Sequence, residues 1–487
     1  MTKRYTIDPI TRLEGHGRIE IFVDDSGEVE NVYLQIPELR GFERFCEGRP
    51  VEEMPRITTR ICGVCPEAHH MASSKAADAV YNLDIPSAAK KLRELFYNTF
   101  FVTDHAVHFY ILAGPDFIMG PDAEPAVRNI LGVIGKVGME VAGKLIEARK
   151  RCEDVLVYLG GKQVHQVCGL PGGMSKALDK EKHKEFLEHA AYCVEFGKFT
   201  LQLFKDIVLA NQAYVDIILS DGYANHTHNM GLVDENNKVN FYHGDIRVKD
   251  PEGNEVVKFK PEAYMDNIAE HVEPWSYLKF PYIKKIGWKG FVEGKDSGIY
   301  KASPLGRLNA SDGMATPIAQ EAYEEFYATL GGDPVNATLA THWARVIELM
   351  YSAERFKELC EDPEITSPVV KKVPEEIPSE GVGVVESPRG TLYHHYVTDE
   401  RGIIKRANLI VGTTHNNASI SLSLKKAAKA LFGKGKEVTE ATLNMVEMAF
   451  RAYDPCFGCA THTLPGEMPL EVNIRDKSGN IIESYRK

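Results

Sequence analysis

The sequence predicts an α+β fold dominated by a bundle of long helices with small sheets at its periphery, and three observations carry that prediction. Near the N-terminus Ile19, Ile21 and Val23 alternate with polar neighbours such as Glu20 and Asp24, the period of a half-buried strand. From Ser87 the spacing lengthens, and Leu92, Leu95 and Phe96 fall on one helical face. Between about 220 and 310, short runs are broken by Asn236-Asn237 and Pro251-Glu252-Gly253-Asn254, which reads as strands and loops rather than helices.

Taken in order, residues 1–40 form strands. Asp25-Ser26-Gly27 turns the chain and Val29-Glu30-Asn31-Val32-Tyr33-Leu34 resumes an extended run, a hairpin. A helical core spans 85–215, with segments near 88–113, 123–158 and 180–215. Ser87 follows Pro86 as an N-cap, and Gly160-Gly161 and Pro171-Gly172-Gly173 are the stops. A β-rich lobe occupies 220–310, and helical spacing returns over 316–360, where Val346, Leu349, Met350, Ala353 and Phe356 keep three- and four-residue steps. A Pro/Glu-rich connection runs through 363–380, and a hairpin over 391–411 turns at Asp399-Glu400-Arg401-Gly402. A last helix near 437–452 ends at Asp454-Pro455-Cys456, where proline cannot continue it. Residues 1–462 thus read as a single domain whose part from 380 to 462 carries candidate metal ligands, and no internal repeat is present.

The 487 residues are 44% hydrophobic and 26% charged, an ordinary globular balance that argues against disorder. A net charge of −12 argues against a nucleic-acid partner, which would need clustered Lys and Arg. The group Arg149-Lys150-Arg151 lies in a predicted helix as a solvated face or partner contact. No apolar run reaches the roughly 18 residues of a membrane span. Nine cysteines at this length, with no secretory signal opening the chain, suit a reducing cytoplasm.

Chemistry concentrates in two Cys-x-x-Cys pairs near opposite ends, Cys62-Gly63-Val64-Cys65 and Cys456-Phe457-Gly458-Cys459, followed by His69 and His462. Thiolates are soft ligands suited to zinc, nickel, copper(I) or iron-sulfur species, and a two-residue gap lets both sulfurs of a pair face one metal. A zinc ribbon places its pairs about 15 to 20 residues apart, so a separation spanning the chain argues against that module. Structural zinc and an iron-sulfur cluster stand as alternatives; a disulfide fits the composition less well.

Arg60-Ile61-Cys62-Gly63-Val64-Cys65 with His69, and Asp454-Pro455-Cys456-Phe457-Gly458-Cys459 with His462, resemble the two signatures of nickel-iron hydrogenase large subunits. Further blocks similar to that family are Thr11-Arg12-Leu13-Glu14-Gly15-His16, Arg40-Gly41-Phe42-Glu43, Asp104-His105-Ala106-Val107-His108-Phe109-Tyr110 and Glu386-Ser387-Pro388-Arg389-Gly390. The loop lengths and the Cys459-Ala460-Thr461-His462 ending are most similar to the cytoplasmic F420-non-reducing enzymes of methanogens.

The resemblance implies that Cys62 and Cys456 bind nickel terminally, while Cys65 and Cys459 bridge nickel to an iron carrying carbonyl and cyanide. Splitting H2 heterolytically needs a hydride acceptor beside a base; the metals would take the hydride and the Cys456 thiolate the first proton. Glu14 matches the gate carboxylate that carries the proton onward, against the simpler possibility that it pairs with Arg12 or His16. Arg389 matches the arginine overhanging the metals, and Asp116 an acid holding that arginine in place. Pro388 and Thr413 belong to the cyanide pocket, and His69 contacts a bridging sulfur. Glu43, the carbonyl of Leu409 and His462 match an octahedral magnesium or iron site, against a surface salt bridge of Glu43 with Arg40 or Arg44. Departures from the common pattern are His415-Asn416 for Trp-Asn, Gly412 for proline and Pro66 for threonine.

In the family an endopeptidase removes the tail after the last histidine, which makes 463–487 a candidate cleavable segment; a permanent strand over 470–474 is the alternative. Cys46, Cys152, Cys168, Cys193 and Cys360 are scattered and read as packing residues, so this chain carries no iron-sulfur relay. The resemblance therefore implies an iron-sulfur small subunit, joined in the methanogen subgroup by heterodisulfide reductase and a further electron-transfer subunit. Other expectations left open are an F420- or NAD-linked hydrogenase, a hydrogen sensor, and a non-catalytic structural relative.

Overall fold

The computed structural model describes residues 3–38, 41–433, 437–460, 471–475 and 481–486. At its centre lies the Thr341–Glu361 helix, packed against Lys180–Phe204 and Ser87–Val107. Only a few of its residues reach solvent, and His342, Arg345 and Glu348 are buried along with its apolar residues. A helix buried on every side sits inside a bundle, and its charged members must find partners there.

Several predicted helices are broken where the chain supplies a reason. The 88–113 segment is α-helical over Ser87–Val107, widens into a π turn over His108–Ala113, and resumes at Gly114–Ile118. Residues 123–129 are turns, and Gly138, at φ 87, separates Ile130–Val137 from Met139–Gly160. The 180–215 segment likewise passes through a π turn at Lys205–Leu209. Gly331 and Gly332, both at positive φ, divide Pro317–Leu330 from Thr341–Glu361.

The strands form small separate sheets. Lys3–Ile7, Arg18–Val23 and Val29–Gln35 pair antiparallel, and Ile19, Ile21 and Val23 are buried in one cluster with Ile420 and Leu424 of the Asn417–Leu431 helix. In the lobe, His228–Val233, Asp245–Lys249 and Glu255–Phe259 are antiparallel, with the short Tyr300–Lys301 strand parallel at the edge. Glu380–Ser387, Gly390–Thr398 and Ile404–Ile410 form a third sheet. Asp399 closes its predicted turn by accepting from the amides of Arg401 and Ile403 at 2.9 and 3.0 Å.

Two helices that periodicity left unassigned matter most for the site, Pro66–Val80 and Asn417–Leu431. Pro66 sits in the first turn, where its missing N–H costs nothing. Thirteen of the fifteen residues of Pro66–Val80 are buried, so it lacks the amphipathic stripe that announces a surface helix. The strand Glu380–Ser387 lies directly on its backbone. A Cβ on Gly383 would come within 2.1 Å of the Ala72 carbonyl oxygen, and one on Gly381 within 2.3 Å of the Val80 nitrogen. Those glycines let the first Cys pair and the Arg389 turn share one wall.

The five remaining cysteines are all buried. Two are not scattered: Cys152 and Cys193 face each other with sulfurs 3.5 Å apart between Met139–Gly160 and Lys180–Phe204, beyond the about 2.05 Å of a bond. In the C-terminal segment Glu471–Arg475 pairs antiparallel with Ile481–Arg486; His462 and the processing point lie outside the described residues. Among the described residues no helix is long and apolar enough to cross a membrane.

Candidate metal centre

The first Cys pair sits between a 3-10 turn, Thr58–Ile61, and the start of Pro66–Val80. Cys62 is extended, and its sulfur accepts from the amides of Val64 and Cys65 at 3.3 and 3.2 Å. Those bonds fold Gly63-Val64 around the thiol, as a two-residue gap allows. The second pair follows Asp454, which holds φ 54 before Pro455. Cys456 bridges to Glu14 of the N-terminal segment, and the Phe457 amide donates to the Glu14 carbonyl at 3.0 Å.

These loops bring the four sulfurs together. Cys62 lies 3.2 Å from Cys456, Cys65 3.6 Å from Cys459, and Cys456 3.0 Å from Cys459, all four within 4.8 Å of one another. Thiolates bound at about 2.3 Å around one metal would stand about 3.8 Å apart at tetrahedral angles, so the observed cage is close to that size. The set is buried and all-sulfur, which fits a thiophilic transition metal. Among the described residues it is the one group of three or more close Cys, His, Asp or Glu side chains that could hold a metal.

Glu14 faces this cage. Its Oε2 is 3.0 Å from the Cys456 sulfur, whose thiol donates to it, and accepts the Gly458 amide at 3.0 Å. Arg12 and His16 are engaged elsewhere, with Asp116 and Glu38. Burial and the charge at Cys62 push the Glu14 carboxyl above its ordinary range, opposed by the Cys456 and Gly458 bonds. Burial opposes ionisation at Cys62, but hydrogen bonds from the other cysteines and the charge of Arg389 lower it well below an ordinary thiol. Cys456 and Cys459 are pushed up, first by burial.

Arg389 is buried above the sulfurs, with Nη1 3.0 Å from Asp104 and Nη2 2.9 Å from Asp454. The assignment of Asp116 to this arginine is corrected: Asp116 holds Arg12 and, at 2.7 Å, Arg451, and takes the Asn444 amide at 3.2 Å. A π turn that displaces the helix face stands between Asp104 and Asp116, so the acid that reaches Arg389 comes from before the turn. Asp116 ties the segment leading into Glu14 to the Glu440–Arg451 helix. Neither Asp104 nor Asp454 was assigned from sequence, although both stand inside the family-like blocks.

The remaining candidates fall around the same cage. Thr413 accepts the Cys456 amide at 3.0 Å, and Thr414 donates to the Cys459 carbonyl at 3.3 Å. His69 Nε2 is 3.5 Å from the Cys459 sulfur, with Nδ1 3.2 Å from His394, whose other nitrogen is 2.7 Å from the Tyr396 hydroxyl. Burial lowers the His69 pKa to about 4, which keeps the ring neutral. A narrow cleft between Cys65, His69, Arg389, Thr413 and Cys459 opens onto the sulfurs. Gly412 forms part of its wall, and Gly390 packs against it; a Cβ at 390 would meet the Gly412 oxygen at 2.3 Å. The Pro388 carbonyl turns the other way, to Arg307. A second cavity, of about 570 Å³, is lined by Glu14, Val64, Glu67, Asp104 and Arg389.

Glu43 is not a surface residue: it is fully buried, while Arg44 pairs with Glu47. The Leu409 backbone and the Glu270–Lys279 pair, itself 3.2 Å apart, lie beside its carboxylate. Burial raises its pKa to about 8, with Lys279 opposing. Two of the three residues expected at a second metal are therefore neighbours.

Comparison with known proteins agrees with this geometry. The family described as nickel-dependent hydrogenase matches residues 40–127 and 233–462, and a HoxL-like description matches 4–39. The chain is 48% identical to an iron-sulfur subunit of the F420-non-reducing hydrogenase of Archaeoglobus profundus, over 99% of both chains. It is 41% identical to a subunit of the F420-non-reducing hydrogenase of Methanothermobacter marburgensis, again over 99% of both. A crystal structure of an NAD+-reducing nickel-iron hydrogenase in the H2-reduced state superposes with a TM-score of 0.88 at 36% identity, covering 95% of this chain and all of that one.

Proposed function

This chain belongs to the nickel-dependent hydrogenase family as a catalytic large subunit, and we propose that it oxidises H2 reversibly to protons and electrons that leave through an iron-sulfur small subunit. The observation that carries this reading is the four-sulfur cage with the Glu14 carboxylate 3.0 Å from Cys456. Cys62, Cys65, Cys456 and Cys459 would hold the nickel-iron centre, and the cleft at Arg389 and Thr413 would receive the small ligands of its iron. When bound, the nickel-iron centre supplies the electron-accepting side of H2 heterolysis.

The protein supplies the base and the proton exit. Cys456 takes the proton on sulfur and passes it to Glu14 Oε2, whose raised pKa brings it nearer to the thiol it serves. The Gly458 amide fixes that oxygen, and the adjoining cavity gives it an outlet. Arg389 keeps its charge in a buried setting because Asp104 and Asp454, together with Cys65 and Cys456, outweigh the burial that opposes it. A fixed cation there lowers the energy of charge developing over the sulfurs. His69 steers the Cys459 sulfur through a neutral ring.

Glu43, the Leu409 carbonyl and His462 would hold magnesium, a hard cation suited to oxygen ligands. A maturation endopeptidase removes the segment after His462. The chain works in the cytoplasm, and by analogy with its F420-non-reducing relatives its electrons pass through a further subunit to heterodisulfide reductase. The similarity to an NAD+-reducing enzyme favours a second acceptor, with the same chemistry at this chain. An infrared spectrum of the purified complex, with nickel and iron analysis, tests the reading. Metal-bound carbonyl and cyanide bands with one nickel per chain are expected; zinc and no such bands would overturn it.

A further inference from the structure

Arg307 lies in the Pro304–Ala310 helix, fully buried, and among the described residues its hydrogen bonds go neither to the sulfurs nor to the Arg389 side chain. Its guanidinium instead grips the three residues that precede Arg389. Nη1 donates to the Glu386 carboxylate at 3.1 Å and to the Ser387 carbonyl at 2.8 Å, and Nη2 to the Pro388 carbonyl at 3.2 Å. The opposite edge is fixed by Glu348, which accepts from Nε and Nη2 at 2.6 and 2.7 Å. Glu348 also bonds His105 at 2.9 Å, the residue next to the Asp104 that pairs with Arg389. One buried arginine therefore connects the turn that carries Arg389 with the helix that carries its acidic partner.

The turn needs such a clamp. Pro388 has no amide proton to give, and Ser387 to Gly390 reverses the chain between two strands, with Gly390 at φ 152. Its other carbonyls are engaged by Ser387 Oγ on Gly390, at 2.7 Å, and by Asn416 on Arg389, at 2.6 Å. The Ser387 and Pro388 carbonyls fall to Arg307. A planar fork with five donors can satisfy two carbonyls and two carboxylates at once, which an ammonium on a flexible stem cannot.

We propose that Arg307 is a positioning residue for H2 activation: by holding Ser387 and Pro388 against Glu348 it sets where the Arg389 guanidinium hangs over the four cysteines. This rests on the reading of Arg389 given above. A misplacement of about 1 Å in such a site costs about 100-fold in rate. Arg307→Lys should therefore lower kcat about 10- to 100-fold with the KM for H2 unchanged.

The test is a double-mutant cycle in the purified complex with R307K, R389K and the double variant, each with metal content measured. If Arg307 acts through Arg389, R307K costs nothing further in the R389K background; losses that multiply would overturn the inference. Hydrogen exchange of the Ser387, Arg389, Gly390 and Thr391 amides in the purified complex is the second readout, expected to quicken in R307K and not in R389K. Unchanged exchange in R307K would also overturn it. Should R307K fail to fold, Glu348→Gln loosens the same clamp and is judged by the same two criteria. R389K with wild-type turnover would instead overturn the role given to Arg389, and the exchange data would still decide whether Arg307 holds the turn.

Discussion

Glu14→Gln isolates the proton step from everything else the site does. The amide keeps the side chain's length and an oxygen for the Gly458 N–H, 3.0 Å away, but it cannot take up and release a proton. Among the described residues Glu14 is the one non-cysteine side chain hydrogen-bonded to the Cys456 sulfur, so no second acceptor of equal reach is at hand. Proton transfer by a positioned side chain contributes about 100- to 10,000-fold, and a single relay belongs in the upper half of that range. At about 1.4 kcal/mol per tenfold, the expected loss of about 1,000-fold raises the barrier by about 4 kcal/mol. Dye-coupled H2 oxidation and H2/D2O exchange measure it, with metal content and the infrared spectrum as controls that should not move. Turnover within about threefold of wild type in a fully loaded variant would refute the reasoning, because the proton would then be leaving by another route.

Removing a cage ligand acts earlier: Cys65→Ser should reduce bound nickel to below about one-tenth of wild type, since metal affinity depends on the deprotonated soft donor, and metal analysis checks it. Asp116→Asn should destabilise the fold by about 3 to 5 kcal/mol, the usual cost of breaking a buried ion pair, here those with Arg12 and Arg451, while the infrared bands of the loaded enzyme stay in place; thermal unfolding and spectroscopy separate the two effects. Lys301 predicts a pH dependence. Burial lowers its pKa from 10.5 to about 7 while its ammonium nitrogen reaches the carbonyls of Asn225 and Thr227, so between those values the unfolded chain binds a proton that the folded chain does not. Wild-type stability relative to Lys301→Met should therefore rise with pH from about 7 to about 10.5, by up to about 1.4 kcal/mol per unit, and a flat difference in denaturant titrations would contradict it.

Elements with a strong period were legible in the sequence, and those governed by neighbours were not. The N-terminal strands and the hairpin at Asp399 declared themselves through alternation and turn residues, because one face of each meets solvent or a sharp reversal is required. The Pro66–Val80 helix did not, since burial on nearly all sides erases the contrast between faces. The breaks at Gly138 and Gly331-Gly332 were readable in principle, as glycine near a helix end is a stop signal. The π turn at His108–Ala113 carries no comparable signal, and it separates Asp104, which reaches Arg389, from Asp116, which does not.

By itself the sequence determined the chemistry on offer: four thiols in two close-spaced pairs, a glutamate, an arginine and a neighbouring set of acids, in an order that resembles one family. Side-chain type decides softness, charge and proton affinity, and these are properties of the residues. Which acid meets which base was decided only in the folded chain. Glu14 finds Cys456 because the Phe457 amide is bonded to its carbonyl, and Arg389 finds Asp104 and Asp454 because a turn, a helix and a loop converge on one buried space. Burial there strips each charge of bulk solvent, so each must be answered by a partner, and small changes of backbone direction select the partner.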